Sequence, residues 1–129
     1  MGTIVLDASV VIGLFDTADA HHGAATSAIS HHASDQLSLP ASAYSEVLVR
    51  PSAAGAVAQV RDALAALAIR VDPIDEAAAE AAARLRARHP ALRLPDALVI
   101  GLADAIDADA VLTTDERWQS VSRRVRRVA

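Results

Sequence analysis

Short apolar runs alternate along the chain with longer segments of helical periodicity. Five runs rich in apolar residues and bounded by polar or turn residues predict β-strands at 4–6, 36–39, 69–71, 111–113 and 125–128. Helices are predicted at 9–15, 20–32, 41–49, 53–68, 75–88 and 95–106, with a short turn after Asp115. This alternation is typical of an α/β fold, a mainly parallel five-stranded sheet with helices on both faces.

The size and hydropathy of the chain predict one domain that does not enter a membrane. A length of 129 residues suits a single compact domain spanning 1–129, and no linker or repeat divides it. Although 53% of the residues are hydrophobic, no apolar run approaches the 18 or so residues of a membrane span. Asp7 interrupts the only apolar stretch near the amino terminus, so no secretory signal is expected. We therefore expect a cytoplasmic protein.

The composition also excludes several chemistries. The chain has no Cys, which rules out thiolate metal sites and thiol nucleophiles, and all 12 basic residues are Arg, which rules out Schiff bases. The formal charge is −4, yet arginines cluster at 84, 86, 88 and 93 and again at 123, 124, 126 and 127. Each cluster fits either a phosphate-binding patch or an ordinary solvated face.

Three aspartates occupy positions where a ligand site is expected. Asp7 lies in the apolar run IVLDASVV directly after the first predicted strand, and Asp115 follows the fourth strand in VLTTDERW. Asp96 begins a helix in LRLPDALVIGLA, on the face that must pack inward. Open parallel sheets bind ligands beyond the carboxyl ends of their strands. Neighbouring carboxylates repel one another unless they are protonated or neutralised, so we expect a hard divalent cation there.

Other interpretations of these residues remain open. Each aspartate alone is better explained as a helix cap, and Thr113 with Glu116 fits the capping box; only their joint placement favours a site. Glu46 lies in LPASAYSEVLVRP, where the periodicity does not decide whether it flanks the buried face or points to solvent. The histidine pairs suggest a rival metal site, but His21 and His32 are about 16 Å apart along a helix axis and cannot share an ion.

In their order and spacing these motifs resemble the PIN domain, and within it the small VapC-type toxins of bacterial toxin–antitoxin pairs. The resemblance covers almost the whole chain and rests on VLDASVVI, the glutamate after the second strand, LPDALVIGLA and LTTDERW. It implies that the four acidic family positions are Asp7, Glu46, Asp96 and Asp115. It also implies that Ser9 and Thr113 are the hydroxyl residues that support the metal cluster.

The resemblance further implies an activity, cofactors and partners. The implied activity is a metal-dependent endoribonuclease that hydrolyses RNA phosphodiester bonds with one or two Mg²⁺ or Mn²⁺ ions, which would cancel much of the charge of −4. The implied substrate is a structured RNA such as tRNA or rRNA. The implied partners are a cognate VapB-type antitoxin and a second copy of the chain in a homodimer.

Two other classes of function are open to the sequence. A receiver domain of signal transduction also carries acids at strand ends, but it uses a Lys that this chain does not have. A catalytically silent PIN-like module that binds RNA or acts as a scaffold is the main alternative, and the presence of all four acids counts against it.

Overall fold

The computed structural model describes residues 1–129 and contains a five-stranded sheet in which every neighbouring pair of strands is parallel. The strands are β1 (Thr3–Leu6), β2 (Gln36–Pro40), β3 (Ile69–Asp72), β4 (Ala110–Thr113) and β5 (Val125–Arg127). Their spatial order is β3-β2-β1-β4-β5. Each strand begins and ends within one residue of its predicted range, and the predicted fold class is confirmed.

Seven α-helices and one short 3₁₀ helix connect the strands. They are α1 (Ala8–Phe15), α2 (His22–His31), α3 (Ala41–Val47), α4 (Val49–Ala53), α5 (Val57–Ala66), α6 (Glu76–Arg88), α7 (Leu94–Ala105) and the 3₁₀ helix Glu116–Ser120. The longest, α6, has 13 residues. None of the helices combines the length and the apolar character that crossing a membrane would require.

The segment after β2 differs from its prediction. Two helices were expected at 41–49 and 53–68, whereas the chain forms α3, α4 and α5. Pro51 has no N–H to donate to an earlier carbonyl, so α3 cannot continue as one regular helix through this point. Gly55 then takes a positive φ of 69°, which turns the chain between α4 and α5.

The hydrophobic core lies on both faces of the three central strands. Almost every residue of β1, β2 and β4 is buried, whereas the edge strands β3 and β5 expose charged residues such as Arg70 and Arg126. Strands buried on both faces require helices on both faces, and right-handed crossovers in this strand order supply them. On one face α6 packs tightly against α7, where Gly101 presents no side chain to the α6 backbone.

The order of the strands reverses between β1 and β4. From β1 the chain moves outward through β2 to β3, then returns through α6 and α7 to β4 on the other side of β1. The crevice at such a reversal is where open α/β sheets bind their ligands. Asp7 directly follows β1, and its backbone N–H donates to the carbonyl oxygen of Leu112 in β4 at 2.9 Å. The first predicted site residue thus lies at the reversal point.

Candidate metal centre

Asp7 is buried at the carboxyl end of β1, with only 8% of the residue exposed. Its Oδ2 accepts hydrogen bonds from the hydroxyl of Ser9 at 2.7 Å and from the hydroxyl of Thr113 at 2.9 Å. The Asp7 side chain makes no capping hydrogen bond to α1. Asp7 is thus the N-cap residue of α1 by position, but its side chain does not cap the helix, and two neighbouring hydroxyls hold its carboxylate in place.

The burial of Asp7 works against its ionisation. Desolvation raises the pKa of its carboxyl group above the ordinary value of 3.8. The hydrogen bonds from Ser9 and Thr113 lower this pKa in part, and the negative charge of Asp96 raises it further. The carboxylate is thus a charge in the interior that a cation would stabilise.

Thr113 joins the ends of β1 and β4 across the reversal point. Its buried hydroxyl donates to Asp7 and accepts from the backbone N–H of Asp115 at 3.1 Å. The predicted capping box of Thr113 and Glu116 is wrong, because Asp115 is the capping residue of the 3₁₀ helix and accepts from the N–H of Arg117 at 2.9 Å. The threonine hydroxyl instead positions two of the acidic residues.

Asp96 lies in the first turn of α7, and 18% of its side chain is exposed. It shares the face of the helix on which Val99, Ile100 and Ala103 are buried, as the sequence predicts. Burial raises the pKa of Asp96, although Arg93, whose Nε is 3.7 Å from Oδ2, opposes this change. The negative charge of Asp115 also raises this pKa. The pKa of Asp7 is therefore raised by the charge of Asp96, and the pKa of Asp96 by the charge of Asp115.

Glu46 on α3 joins the same group of charges. The residue is exposed as a whole, but partial desolvation of its carboxyl group raises its pKa, and the charges of Asp7 and Asp96 raise it further. The sequence pattern could not decide the direction of Glu46, and the structure brings it to the acidic cluster. Its neighbour Val47 is the buried residue of that turn.

Asp115 differs from the other three acids because the side chain of Arg117 binds its carboxylate. The guanidinium group of Arg117 donates to Oδ1 through Nε at 3.0 Å and to Oδ2 through Nη2 at 2.6 Å. These hydrogen bonds lower the pKa of Asp115, in contrast to the raised pKa values of Asp7, Glu46 and Asp96. Asp115 is near the cluster but neutralised by its own ion pair.

Three of the five histidines contact polar groups close to them in the chain. His22 Nδ1 lies 2.8 Å from the carbonyl oxygen of Gly13, and His32 Nδ1 lies 2.8 Å from Oδ2 of Asp35. His21 pairs loosely with Asp19 at 3.6 Å. Each of these three imidazoles has a partner within its own part of the chain.

The chemistry of the acidic cluster fits a divalent cation with oxygen ligands. No three His, Asp or Glu side chains lie close enough together, as they stand, to hold one metal ion among them. Mg²⁺ requires less than this, because it is usually bound by one or two carboxylates and keeps several waters. Repelling carboxylates around the buried Asp7 supply such a donor set.

A groove rich in arginine borders the cluster. We call it the arginine groove; it has a volume of about 430 Å³, and its lining includes Arg88, Arg93, Asp96, Arg117 and Trp118. From the sequence one could name the arginines but not those that face the site. The pairing of Arg117 with Asp115 and the position of buried Trp118 depend on the turn of the 3₁₀ helix, which periodicity does not reveal.

The raised pKa values predict a pH dependence of stability. A carboxyl group with a raised pKa binds its proton more tightly in the folded state than in the unfolded state. This tighter binding stabilises the fold fully when the pH is below the ordinary pKa of 3.8. The stabilisation is lost as the pH rises through the pKa of the folded state. We expect Asp7→Asn to remove this loss. In urea unfolding with a metal chelator, the free energy of unfolding of the variant relative to the wild type should increase as the pH rises from about 4. A difference that stays constant with pH would contradict the assignment of Asp7 as a desolvated acid.

Comparison with known families identifies one match. The model of the PIN domain matches residues 4–124. No curated protein sequence matches the chain.

Several solved structures share its fold. A toxin–antitoxin complex from Klebsiella pneumoniae contains a chain that superposes with a TM-score of 0.81 at 20% identity, with 98% of each chain covered. VapBC2 from Rickettsia felis, bound to a DNA fragment from its promoter, gives a TM-score of 0.79 at 10% identity over 98% of this chain and 99% of that one. VapC20 from Mycobacterium tuberculosis, a toxin that cleaves the sarcin–ricin loop, gives 0.74 at 16% identity over 91% and 93% of the two chains. At these identities the likeness establishes the fold.

Proposed function

Because the chain belongs to the PIN domain family, we propose that it is a metal-dependent endoribonuclease of the VapC toxin type. The observation that carries this proposal is the convergence of acids at the strand reversal, where the charge of Asp96 raises the pKa of Asp7 and the charges of Asp7 and Asp96 raise the pKa of Glu46. Such a cluster is costly without a cation and suits the binding of one or two Mg²⁺ or Mn²⁺ ions. VapC20, which shares the fold, supports RNA as the substrate.

The proposed roles of the acids follow from their positions. Asp7 and Asp96 hold the cation from the buried side of the crevice, Glu46 completes the cluster from α3, and Asp115 contributes from the end of β4. Ser9 and Thr113 keep the Asp7 carboxylate in one orientation through hydrogen bonds of 2.7 and 2.9 Å. A bound divalent ion supplies the activation of water and the stabilisation of the leaving oxygen in an in-line displacement. The chain's own task is to fix the carboxylates and to align the RNA.

Arginines beside the acids would align that RNA. The formal charge of −4 would oppose a polyanion, but Arg88 and Arg93 are exposed on the arginine groove next to Asp96. Guanidinium groups match phosphate oxygens in geometry and charge. With a single Trp, which is buried, and one Tyr and one Phe, base stacking contributes little, so RNA shape and phosphate spacing would govern selectivity.

The proposal is tested by incubating the purified chain with a structured RNA. We expect discrete cleavage of a tRNA or an rRNA fragment in Mg²⁺ or Mn²⁺ and no cleavage in excess EDTA, with activity restored when the metal is added back. An intact RNA at saturating Mg²⁺ and Mn²⁺ would contradict the endoribonuclease proposal. Cleavage that persists in EDTA would contradict its metal dependence.

Glu46 is expected to contribute less than the buried acids. Glu46→Gln keeps an oxygen that can bind a cation and changes an exposed residue, so we expect RNA cleavage to fall by roughly tenfold, the range of losses seen when metal sites are weakened rather than removed. Initial rates at several Mg²⁺ concentrations would measure the change. A rate equal to the wild type at every Mg²⁺ concentration would remove Glu46 from the site.

One observation favours a second candidate, a catalytically silent PIN-like module. No three acidic or imidazole side chains lie close enough together to hold one metal ion, and Arg117 forms an ion pair with the carboxylate of Asp115. A silent module would bind RNA without binding metal. Isothermal titration with Mn²⁺ separates the two, since the nuclease proposal expects a binding isotherm that Asp7→Asn abolishes, and the silent module expects none in either protein.

We further propose an antitoxin and a second copy of the chain as partners. A groove of about 770 Å³ includes Glu46 in its lining, and its other walls combine apolar residues with Asp16, Asp19 and Arg50. The apolar residues are Ile12, Phe15, Val47, Val49 and Val60. Val49 is 68% exposed, and Ile12 and Phe15 are each 38% exposed. We propose that a segment of a cognate VapB-type antitoxin covers this groove, as the toxin–antitoxin complexes of the same fold suggest. Sedimentation equilibrium of the isolated chain would test the homodimer.

A further inference from the structure

Arg117 makes a closely matched ion pair with Asp115. Its Nε and Nη2 bind Oδ1 and Oδ2 at 3.0 and 2.6 Å, and its backbone N–H binds Oδ1 at 2.9 Å. Both oxygens of this carboxylate are therefore occupied. By contrast, the contact of Arg93 with Asp96 is a single one of 3.7 Å.

The ion pair is also easy to open. The side chain of Arg117 is 80% exposed, whereas that of Asp115 is 24% exposed. Exposed ion pairs contribute little net stability, because water competes with the pairing and the long side chain loses freedom. The arginine can thus leave Asp115 at small cost and reach other anions that approach the surface.

We propose that Arg117 competes with the divalent cation for Asp115 and transfers to a phosphate of the bound RNA when the cation takes its place. This inference rests on the proposed function. The Nε–H and Nη2–H of Arg117 that bind Asp115 cannot bind a phosphate at the same time, so a phosphate that takes this edge of the guanidinium group displaces the carboxylate. Metal occupancy of Asp115 would free Arg117 for RNA, and RNA would in turn favour the metal, because linkage between two ligands is reciprocal.

The surroundings of Arg117 suit a phosphate. It lines the arginine groove together with Arg88 and Arg93, so a phosphodiester in this groove meets three guanidinium groups beside Asp96. The charges of Arg93 and Arg117 lower the pKa of Asp96 and also that of Asp115, so both acids lie within reach of these two arginines. An RNA strand bound in the arginine groove would therefore pass directly beside the acidic cluster.

The matched control is Arg127, which pairs with Glu116 at 3.3 Å in the same part of the chain. Arg127→Gln removes one positive charge near the site without touching Asp115. Arg117→Gln removes the same charge and also removes both guanidinium hydrogen bonds to Asp115, leaving only the backbone N–H of residue 117 on Oδ1. A difference between the two variants isolates the competition from the general change in charge. Arg117→Lys keeps the charge but not the fork, and serves as a second variant.

Mn²⁺ titration of the RNA-free chain tests the competition. We expect Arg117→Gln to bind Mn²⁺ roughly two- to fivefold more tightly than Arg127→Gln, the range that the loss of an exposed ion pair allows. Arg117→Lys should fall between Arg117→Gln and the wild type. The difference should shrink in 1 M NaCl, because salt screens exposed charges. A loss of folding cannot imitate tighter metal binding, and melting curves would verify that all variants are folded.

Steady-state cleavage of RNA at saturating Mn²⁺ tests the transfer to phosphate. We expect Arg117→Gln to raise KM for RNA by roughly two- to fivefold, with kcat within about twofold of that of Arg127→Gln. Equal Mn²⁺ affinity in Arg117→Gln and Arg127→Gln would overturn the competition, and an unchanged KM would overturn the transfer. If the wild type itself neither binds Mn²⁺ nor cleaves RNA, the proposed function is wrong. Measurements on the wild type alone therefore distinguish this outcome from a failure of the inference about Arg117.

Discussion

Replacing Asp7 with Asn is expected to lower RNA cleavage by at least about 100-fold while the chain remains folded. Changes to residues that only support a metal ligand cost about 10- to 100-fold, so the loss of a central ligand should cost more. Asn has nearly the same shape as Asp, and its carbonyl oxygen can still accept from the hydroxyls of Ser9 and Thr113. The variant also removes a desolvated charge from the interior, so its metal-free form should be at least as stable as the wild type at neutral pH.

The control for this prediction is Asp62→Asn, which makes the same chemical change on the exposed face of α5. Single-turnover cleavage of one RNA by the wild type and both variants would measure the effect, with urea unfolding to verify the fold. We expect Asp62→Asn to cleave like the wild type. An Asp7→Asn variant that is folded and cleaves within a few-fold of the wild type would exclude Asp7 from the site.

Replacing Gly101 with Ala is expected to destabilise the fold and to displace the site at the same time. A Cβ at this position would lie 2.8 Å from the carbonyl oxygen of Ala78 and 2.8 Å from the backbone nitrogen of Ala82. Both are backbone atoms of α6, so no side-chain rotation relieves the clash and the two helices must separate. Overpacking of this kind costs about 1–3 kcal/mol, of which the better helix propensity of Ala returns about 0.5–1 kcal/mol.

The consequence for the site follows from α7, which carries Asp96 in its first turn. A shift of about 1 Å in a positioned group can lower a rate by about 100-fold, so cleavage should fall more than the loss of stability alone would suggest. Gly23→Ala is the matched control, because Gly23 lies in α2 with no atom within 4 Å of a new Cβ. Thermal unfolding should show a lower Tm for Gly101→Ala and an equal or higher Tm for Gly23→Ala. Equal Tm values for Gly101→Ala and the wild type would contradict the close packing of α6 and α7.

The sequence predicts the sheet well because its central strands are buried on both faces. Runs such as those in β1 and β4 are apolar without interruption, and the turns that bound them are polar, so both ends of each strand are marked. The positions of Asp7 and Asp96 follow from the same pattern, since one ends a buried strand and the other heads a buried helix face. Their convergence could therefore be predicted; their role as metal ligands stays a prediction.

Glu46 could not be placed by periodicity because α3 has only seven residues. Two turns of helix contain too few apolar positions to define a buried face, and the break at Pro51 removes the continuation that would have fixed it. The family resemblance named Glu46 where the pattern could not. The structure adds the reason, which is that α3 brings its carboxylate close enough to Asp7 and Asp96 for their charges to raise its pKa.

The surroundings of Asp115 were the least predictable part of the site. The segment after β4 has the spacing of a capping box, but the Thr113 hydroxyl donates to Asp7 and accepts from the N–H of Asp115, and Asp115 is the residue that caps the helix. The helix is also of the 3₁₀ type, in which Arg117 turns back onto Asp115 two positions earlier. Patterns based on the α-helix do not anticipate a contact at this separation. The Thr113 hydroxyl thus connects Asp7 across the sheet with Asp115 two residues further along the chain.

The central claim is that Asp7 and Asp96 hold a divalent cation at the reversal between β1 and β4. A crystal of the chain soaked in MnCl₂ would test it, because anomalous scattering locates Mn²⁺ independently of any assumption about its ligands. We expect the strongest anomalous peak about 2.0–2.3 Å from carboxylate oxygens of Asp7 and Asp96. A strongest peak at the histidines of α2, or no peak at these carboxylates in saturating Mn²⁺, would contradict the claim.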